Sequence, residues 1–133
     1  MLQCKRKDSS VKFERDSPEG RNTFTGYGPG YVEVNRKRHS SSLVVSADRV
    51  IVDWPAASVE ALTADHLAAI VELKPEIAII GSGATFRFPD PARLALLHQA
   101  RIGVEVMDTH AACRTYNILL GEGRNVVAAL IVP

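Results

Sequence analysis

A glycine turn at Gly81-Ser82-Gly83 is the first segment whose residue types could bind a ligand. It follows the apolar run Ile77–Ile80, which is typical of a strand covered on both faces, and α/β folds place ligands at the ends of such strands. As a dinucleotide fingerprint the turn fails, because Phe86 stands where a third glycine is required and no helix follows at once. The sequence favours the alternative, a tight turn that needs unusual backbone angles.

A second candidate is the predicted helix start at Asp108 and Thr109, which also follows a strand. Amides at a helix N-terminus attract anions. The two segments together predict a crevice for a small anion or carboxylate, lined by Gly81, Ser82, Gly83, Arg87, Asp108, Thr109, Arg114 and Thr115. The sequence favours the structural alternative, in which Asp108 or Thr109 caps the helix and Arg114 pairs with Glu122 or Asp108.

Nucleophilic and metal chemistry find weaker support. Cys113 follows His110 by three residues, and an imidazole or a helix N-terminus can activate a thiol. The run Ala111-Ala112-Cys113 is more typical of a packed helix face, so we expect a buried, inert thiol that does not pair with Cys4. The four histidines have no metal-ligand spacing: His39, His66, His98 and His110. We therefore predict neither a metal nor a cofactor and lean away from an enzyme, although the sequence does not decide that question.

The elements that must position these residues follow from hydrophobic periodicity and capping signals. Strands are predicted at Tyr31–Val34, Ser42–Val45, Val50–Val52, Ile77–Ile80, Val104–Met107 and Asn125–Ile131. Helices are predicted from Thr63 to Leu73, from Pro91 to Ala100 and from Asp108 to Leu120, with Gly121 as the C-cap of the last one. The order βαβαβαβ from Ile51 onward indicates an α/β fold with a largely buried central sheet.

Three further details concern turns. Ser46 to Arg49 form a four-residue loop that predicts a β-hairpin between the strands on either side. Arg36-Lys37-Arg38 is interpreted as a solvated turn between two strands, because no base-stacking aromatics accompany it. Arg124 is expected to form an internal ion pair with Glu122 rather than to act in catalysis.

Length and composition exclude several classes of protein. The chain has 133 residues and a formal charge of +1, which argues against a dedicated nucleic-acid binder. No apolar run reaches the length of a membrane-spanning helix, and no signal peptide is visible, so we predict a cytoplasmic protein without membrane insertion. Residues 1–40 carry nine basic and five acidic side chains and much loop chemistry, including Gly26, Gly28 and Gly30. We predict that residues 1–11 are a disordered tail and that residues 12–133 form one domain.

The segments around these candidates resemble a known family. The specific part is the run from Met107 to Arg124, supported by Ile79–Gly83 and Gly103–Val106. These segments resemble the Mth-type domain family of unknown function, which includes mitochondrial respiratory complex I assembly factor three and the adipogenesis-associated domain protein. The resemblance implies a three-layer α/β domain with a mixed central sheet of about five strands and an additional N-terminal β-hairpin layer. It implies no established enzymatic activity.

Two functional hypotheses remain open at this point. The first, implied by the resemblance, is a non-catalytic bacterial protein that assists assembly of a membrane-associated complex through contacts with a protein partner. The second is a small-molecule or anion-binding protein, which could be an enzyme, using the crevice between the Gly81–Gly83 turn and the N-terminus of the Thr109 helix.

Overall fold

Two β-sheets and three α-helices are found in the residues that the structure, a computed structural model, describes, 21–132. The strands are β1 (Phe24–Gly28), β2 (Tyr31–Val34), β3 (Lys37–His39), β4 (Leu43–Val45), β5 (Val50–Ile51), β6 (Ile77–Gly81), β7 (Gly103–Met107) and β8 (Val126–Leu130). The helices are α1 (Ala64–Glu72), α2 (Pro91–Gln99) and α3 (Thr109–Gly121). The predicted tail 1–11 and Cys4 lie outside the described residues.

The central sheet has five strands in the order β5-β4-β8-β6-β7. Strand β6 runs parallel to both β7 and β8, whereas β4 runs antiparallel to β8 and β5. The βαβαβαβ order and the mixed α/β class are confirmed. The predicted hairpin is also confirmed, because Val45 pairs with Val50 and Ser46 N donates to Arg49 O over 2.8 Å.

Helices and the second sheet cover the two faces of the central sheet and make three layers. On one face, α1 and α2 bury Leu67, Ile70, Leu94 and Leu97 in a core shared with β6 and β8. On the other face, α3 and the N-terminal sheet bury Tyr116 and their own apolar residues. Burial of these apolar side chains is the main force that holds the layers together. None of the helices in residues 21–132 is long and apolar enough to cross a membrane.

The N-terminal layer is a three-stranded antiparallel sheet, β1-β2-β3, and is larger than the expected hairpin. The glycines assigned to loops lie partly in a strand, since β1 contains Gly26 and Gly28. Gly28 packs against the Tyr31 ring, because a Cβ there would lie 2.6 Å from the ring and make Tyr31 move. The basic triplet lies only partly in a turn: Arg36, with a φ of 69°, belongs to the β2–β3 turn, but the next two residues begin β3.

The helix starts agree with the sequence signals. Thr63 caps α1 with a capping box that includes the His66 side chain, and the Asp90 carboxylate caps α2 directly before Pro91. Asp108 caps α3, where its Oδ1 accepts a hydrogen bond from Ala111 N at 2.9 Å. These caps satisfy amides that the helical pattern itself leaves without partners.

Two predictions at the end of α3 are wrong. Gly121 is the last residue of the helix and Glu122 is its C-cap, while Gly123 adopts the left-handed conformation with a φ of 80°. The helix and its C-cap therefore each lie one residue later than predicted. Arg124 pairs with Glu76 at 3.1 Å rather than with Glu122, because β6 and β8 are adjacent and bring their preceding residues together.

The Asn117 side chain fastens the N-terminal sheet to α3. Its Oδ1 accepts from Phe24 N at 2.9 Å and its Nδ2 donates to Phe24 O at 2.7 Å. We predict that Asn117→Ala lowers the free energy of unfolding by about 1–3 kcal/mol, because both backbone groups lose their partner. Urea unfolding measures this effect. The neighbouring variant Ile118→Ala, at a side chain that is 61% exposed, should stay within about 0.5 kcal/mol of the wild type. Equal effects of the two substitutions would contradict this role of Asn117.

Candidate functional site

The glycine turn and the start of α3 lie side by side, as predicted. Strands β6 and β7 pair in parallel with Gly81 opposite Met107, so both chains leave the sheet at the same edge. Ser82 N donates to Met107 O over 2.8 Å and extends the ladder by one bond. The candidate residues that follow each strand are therefore neighbours.

The two segments are joined directly by hydrogen bonds, and a cavity of about 340 Å³ lined by Ser82, Gly83 and Arg87 borders the turn. Thr109 Oγ1 accepts from Gly83 N at 2.9 Å and donates to Ile131 O at 2.7 Å. Thr109 N in turn donates to Gly83 O over 2.9 Å. The Thr109 side chain is buried, with 3% of the residue exposed. This hydrogen-bonded cluster of Gly83, Thr109 and Ile131, the Thr109 joint, ties the ends of β6, β7 and β8 together.

Glycine is needed at Gly81 for packing. A Cβ there would lie 2.7 Å from Leu130 Cδ2 and 3.0 Å from Thr109 Cα, so any side chain would push the joint apart. Gly83 has a φ of 110°, a backbone conformation that L side chains rarely adopt. The glycines thus serve the tight turn that the sequence favoured.

Ser82 and Arg87 shape the loop that follows. Ser82 Oγ donates to Thr85 O at 2.7 Å and accepts from Arg87 N at 3.0 Å. The Arg87 guanidinium pairs with Glu60 through Nε and Oε2, 2.7 Å apart. The pKa of the Glu60 carboxyl is lowered, first by its own backbone amide and then by Arg87. Arg87 thus holds the loop against the segment before α1.

Arg114 and Thr115 complete the predicted set but have other surroundings. Arg114 Nη1 donates to the Tyr27 hydroxyl at 2.8 Å, so neither Glu122 nor Asp108 is its hydrogen-bond partner. The Tyr27 hydroxyl raises the pKa of Arg114 further above its usual value. Thr115 is half-buried on α3. Arg87 and Arg114 are therefore each committed to a different partner.

A cavity of about 220 Å³ lies between the β1–β2 turn and the Thr109 joint. His110 stands at its edge, with Nε2 3.1 Å from Gly28 O and its ring stacked on Tyr27 at 4.4 Å between centroids. The lining is mostly apolar, and the volume is below the roughly 300–1,000 Å³ of typical ligand pockets.

Cys113 is buried, with 1% of the residue exposed. Burial raises the pKa of its thiol to about 12, so the thiol is protonated at neutral pH. The expectation of a buried thiol is confirmed. Among residues 21–132, no group of three or more His, Cys, Asp or Glu side chains could hold a metal ion.

An aromatic pair at Phe86 and Phe88 was not singled out in the sequence. The two residues are 61% and 55% exposed, and their ring centroids lie 6.4 Å apart. They flank Arg87, which pairs with Glu60. The available signal was the aromatic–basic–aromatic pattern directly before Pro89-Asp90-Pro91, where a loop must precede a helix. We call residues 84–89 the aromatic loop.

The three-layer α/β architecture defines a class of domain that known proteins share. A family model described as "Protein of unknown function (DUF498/DUF598)" matches residues 24–131, and the chain belongs to this family. A solved structure from Bordetella parapertussis is 38% identical, with a TM-score of 0.81, and the match covers 88% of this chain and 100% of that one. A second structure, from Bordetella pertussis and titled a Mth938-like domain, is 32% identical, with a TM-score of 0.76 and 92% of both chains covered.

A relative with a curated name is similar over most of this chain. "NADH dehydrogenase [ubiquinone] 1 alpha subcomplex assembly factor 3" of Xenopus tropicalis is 32% identical over 125 residues, which are 92% of this chain and 67% of that protein. Across the relatives of that name, the chain spans between 46% and 67% of their length. The resemblance to the Mth-type family and to its assembly-factor members is confirmed.

We predict that Thr109→Val lowers the free energy of unfolding by about 2–4 kcal/mol, because Gly83 N and Ile131 O both lose a buried partner. Thermal or urea unfolding measures the change. Thr109→Ser keeps the hydroxyl and should retain most of the stability, while Thr115→Val at the half-buried position serves as the control. A Thr109→Val variant as stable as Thr115→Val would show that the joint contributes little.

The same geometry makes a prediction about anions. Because Gly83 N and Thr109 N donate within the joint, millimolar phosphate or sulfate should leave their amide resonances unshifted. A titration followed by ¹⁵N NMR checks this. Saturable shifts centred on Ser82, Gly83, Thr109 and His110 would contradict the account and support an anion site.

Cys113 should remain unreactive in the folded chain as the pH is raised. With a pKa near 12, its thiolate stays scarce at pH 9, where an ordinary thiol is largely ionised. In a Cys4→Ser background, a thiol reagent should label Cys113 only after unfolding. Fast labelling of the native variant would overturn the buried assignment.

Proposed function

We propose that the chain is a non-catalytic factor that assists the assembly of a membrane-associated respiratory complex through contacts with a protein partner. The relatives named as assembly factors for NADH dehydrogenase support this role. Those proteins are longer than the matched region, so the proposal concerns the part of their function that resides in the shared domain. In this proposal the chain is bacterial and acts from the cytoplasm.

The main observation behind the proposal is the exposure of the two phenyl rings in the aromatic loop. Phe86 and Phe88 leave more than half of their surface in water. At about 25 cal/mol per Å² of apolar surface, covering two phenyl rings is strongly favourable. Contiguous exposed apolar side chains of this kind mark interaction sites.

The loop is also held in shape before any partner arrives. Ser82 fixes its start through Thr85 O and Arg87 N, and the solvent-exposed Arg87–Glu60 pair adds a small contribution at its middle. Pro89 is buried and Asp90 caps α2, which fixes its end. A preorganised loop loses little conformational entropy on binding, so more of the contact energy remains as affinity.

The predicted crevice gives less support to the ligand-binding alternative. Its turn and helix amides are engaged in the Thr109 joint, and its two arginines have partners. The cavity of about 340 Å³ beside Ser82, Gly83 and Arg87 is at the lower end of typical ligand-pocket volumes, and the cavity of about 220 Å³ at Thr109 lies below them. We therefore give no function to a small anion.

We predict that the double variant Phe86→Ala, Phe88→Ala abolishes the assembly function while the chain stays folded. Aromatic anchors in an interface contribute about 2 kcal/mol or more each, so partner affinity should fall more than ten-fold. In a bacterial host whose own copy of the gene is deleted, assembled NADH dehydrogenase on native gels should be reduced. The wild-type chain should restore it and the double variant should not.

Ile118→Ala is the matched control for this experiment. Ile118 is as exposed as Phe86, at 61%, but lies on α3 instead of the aromatic loop. It should restore assembly fully. If the double variant complements as well as Ile118→Ala, the aromatic loop is not the contact. If deletion leaves the complex intact, the assembly role itself is wrong.

A further inference from the structure

The edges of the two sheets are protected to very different degrees. Asn117 occupies the backbone groups of Phe24 in β1, β3 is three residues long with two basic side chains, and β5 has only two residues. These are the usual ways to protect an edge from pairing with another chain. Strand β7 has five residues, no proline and an unbroken register with β6, and no described residue pairs with its other side.

The backbone of β7 presents a regular row of groups at this open edge. Gly103 N donates to Glu76 O, and Met107 O accepts from Ser82 N, so the odd-numbered residues of the strand face β6. In a parallel pair these bonds are made by alternate residues. The N–H and C=O groups of Val104 and Val106 therefore point away from the sheet, spaced to pair with an incoming strand.

The side chains of β7 define the chemistry of that strand. Val104 and Val106 are half-buried and pack against the core beneath α2, so residues opposite them extend an apolar surface. Glu105 lies between them on the other face of the sheet and is exposed. A residue directly across from Glu105 would lie close to its carboxylate.

Glu105 disfavours the self-pairing of β7 in which Val104 lies opposite Val106. That two-fold pairing is centred on Glu105. It places one Glu105 directly opposite the other, and like charges at that position destabilise the pair. A strand with a basic residue at this position gains the opposite interaction.

We propose that the open edge of β7 is a second docking surface, which accepts an extended segment of a protein partner with the pattern apolar–basic–apolar. The backbone N–H and C=O groups of Val104 and Val106 form hydrogen bonds with the segment. The Glu105 carboxylate selects a Lys or Arg at the centre of the segment. This surface shares no residue with the aromatic loop, so this proposal and the assembly proposal can be tested independently.

The test uses the full chain and two blocked synthetic peptides, Thr-Val-Lys-Val-Thr and Thr-Val-Glu-Val-Thr. Titration of the ¹⁵N-labelled protein should shift the amides of Val104 and Val106, with affinity about five-fold higher for the lysine peptide. Glu105→Lys should reverse that preference. The variant Phe86→Ala, Phe88→Ala should bind the lysine peptide as the wild type does.

Three results would overturn the proposal. One is the absence of shifts at Val104 and Val106 at millimolar lysine peptide. Another is equal binding of the two peptides in both the wild type and Glu105→Lys. The third is slow exchange of both amides in the free chain, which would show that the edge is already covered, either by the chain itself or, if protection grows with protein concentration, by a second copy.

Discussion

The Thr109 hydroxyl is the interaction on which the rest of this structure depends. It accepts from Gly83 N and donates to Ile131 O, and so connects the turn after β6, the first residue of α3 and the exit of β8. A buried hydroxyl with both partners satisfied is stabilising, whereas each unpaired group would cost about 1–3 kcal/mol. Gly81 lacks a side chain because the joint leaves no space for one.

The joint also determines what the surface can do. It uses the amides that α/β proteins often leave for a ligand at this edge of the sheet. At the same time it fixes where the chain leaves the Gly83 turn, and Ser82 and Arg87 then direct the loop so that Phe86 and Phe88 are exposed. The exposed Phe86 and Phe88 are the reason for our proposal that this loop contacts another protein.

Local signals in the sequence predicted the parts of the fold that local physics controls. The caps at Thr63, Asp90 and Asp108 marked the helix starts, and the apolar run of β6 marked the buried strand. The order of elements then gave the α/β class. The proximity of the two candidate segments followed from parallel pairing across a helical crossover.

The remaining features depend on partners far apart in sequence. Thr109 meets Gly83 and Ile131 across 26 and 22 positions, so its role as a joint cannot be read from its own neighbours. Arg124 pairs with Glu76 across 48 positions because two strands are adjacent. The glycines of β1 favoured a loop prediction, and its pairing with β2 and the packing of the Tyr31 ring against Gly28 depend on residues elsewhere in the chain.

Site-specific photocrosslinking from position 86 tests the central claim most directly, that the aromatic loop contacts a protein during assembly. A photoreactive phenylalanine analogue would replace Phe86 in the full chain, inside cells that assemble NADH dehydrogenase, with the same analogue at Ile118 as the reference. The account predicts a cross-link from position 86 to a subunit or assembly intermediate of that complex, and none from position 118. Absence of a protein cross-link at position 86, or the same product from both positions, would contradict it.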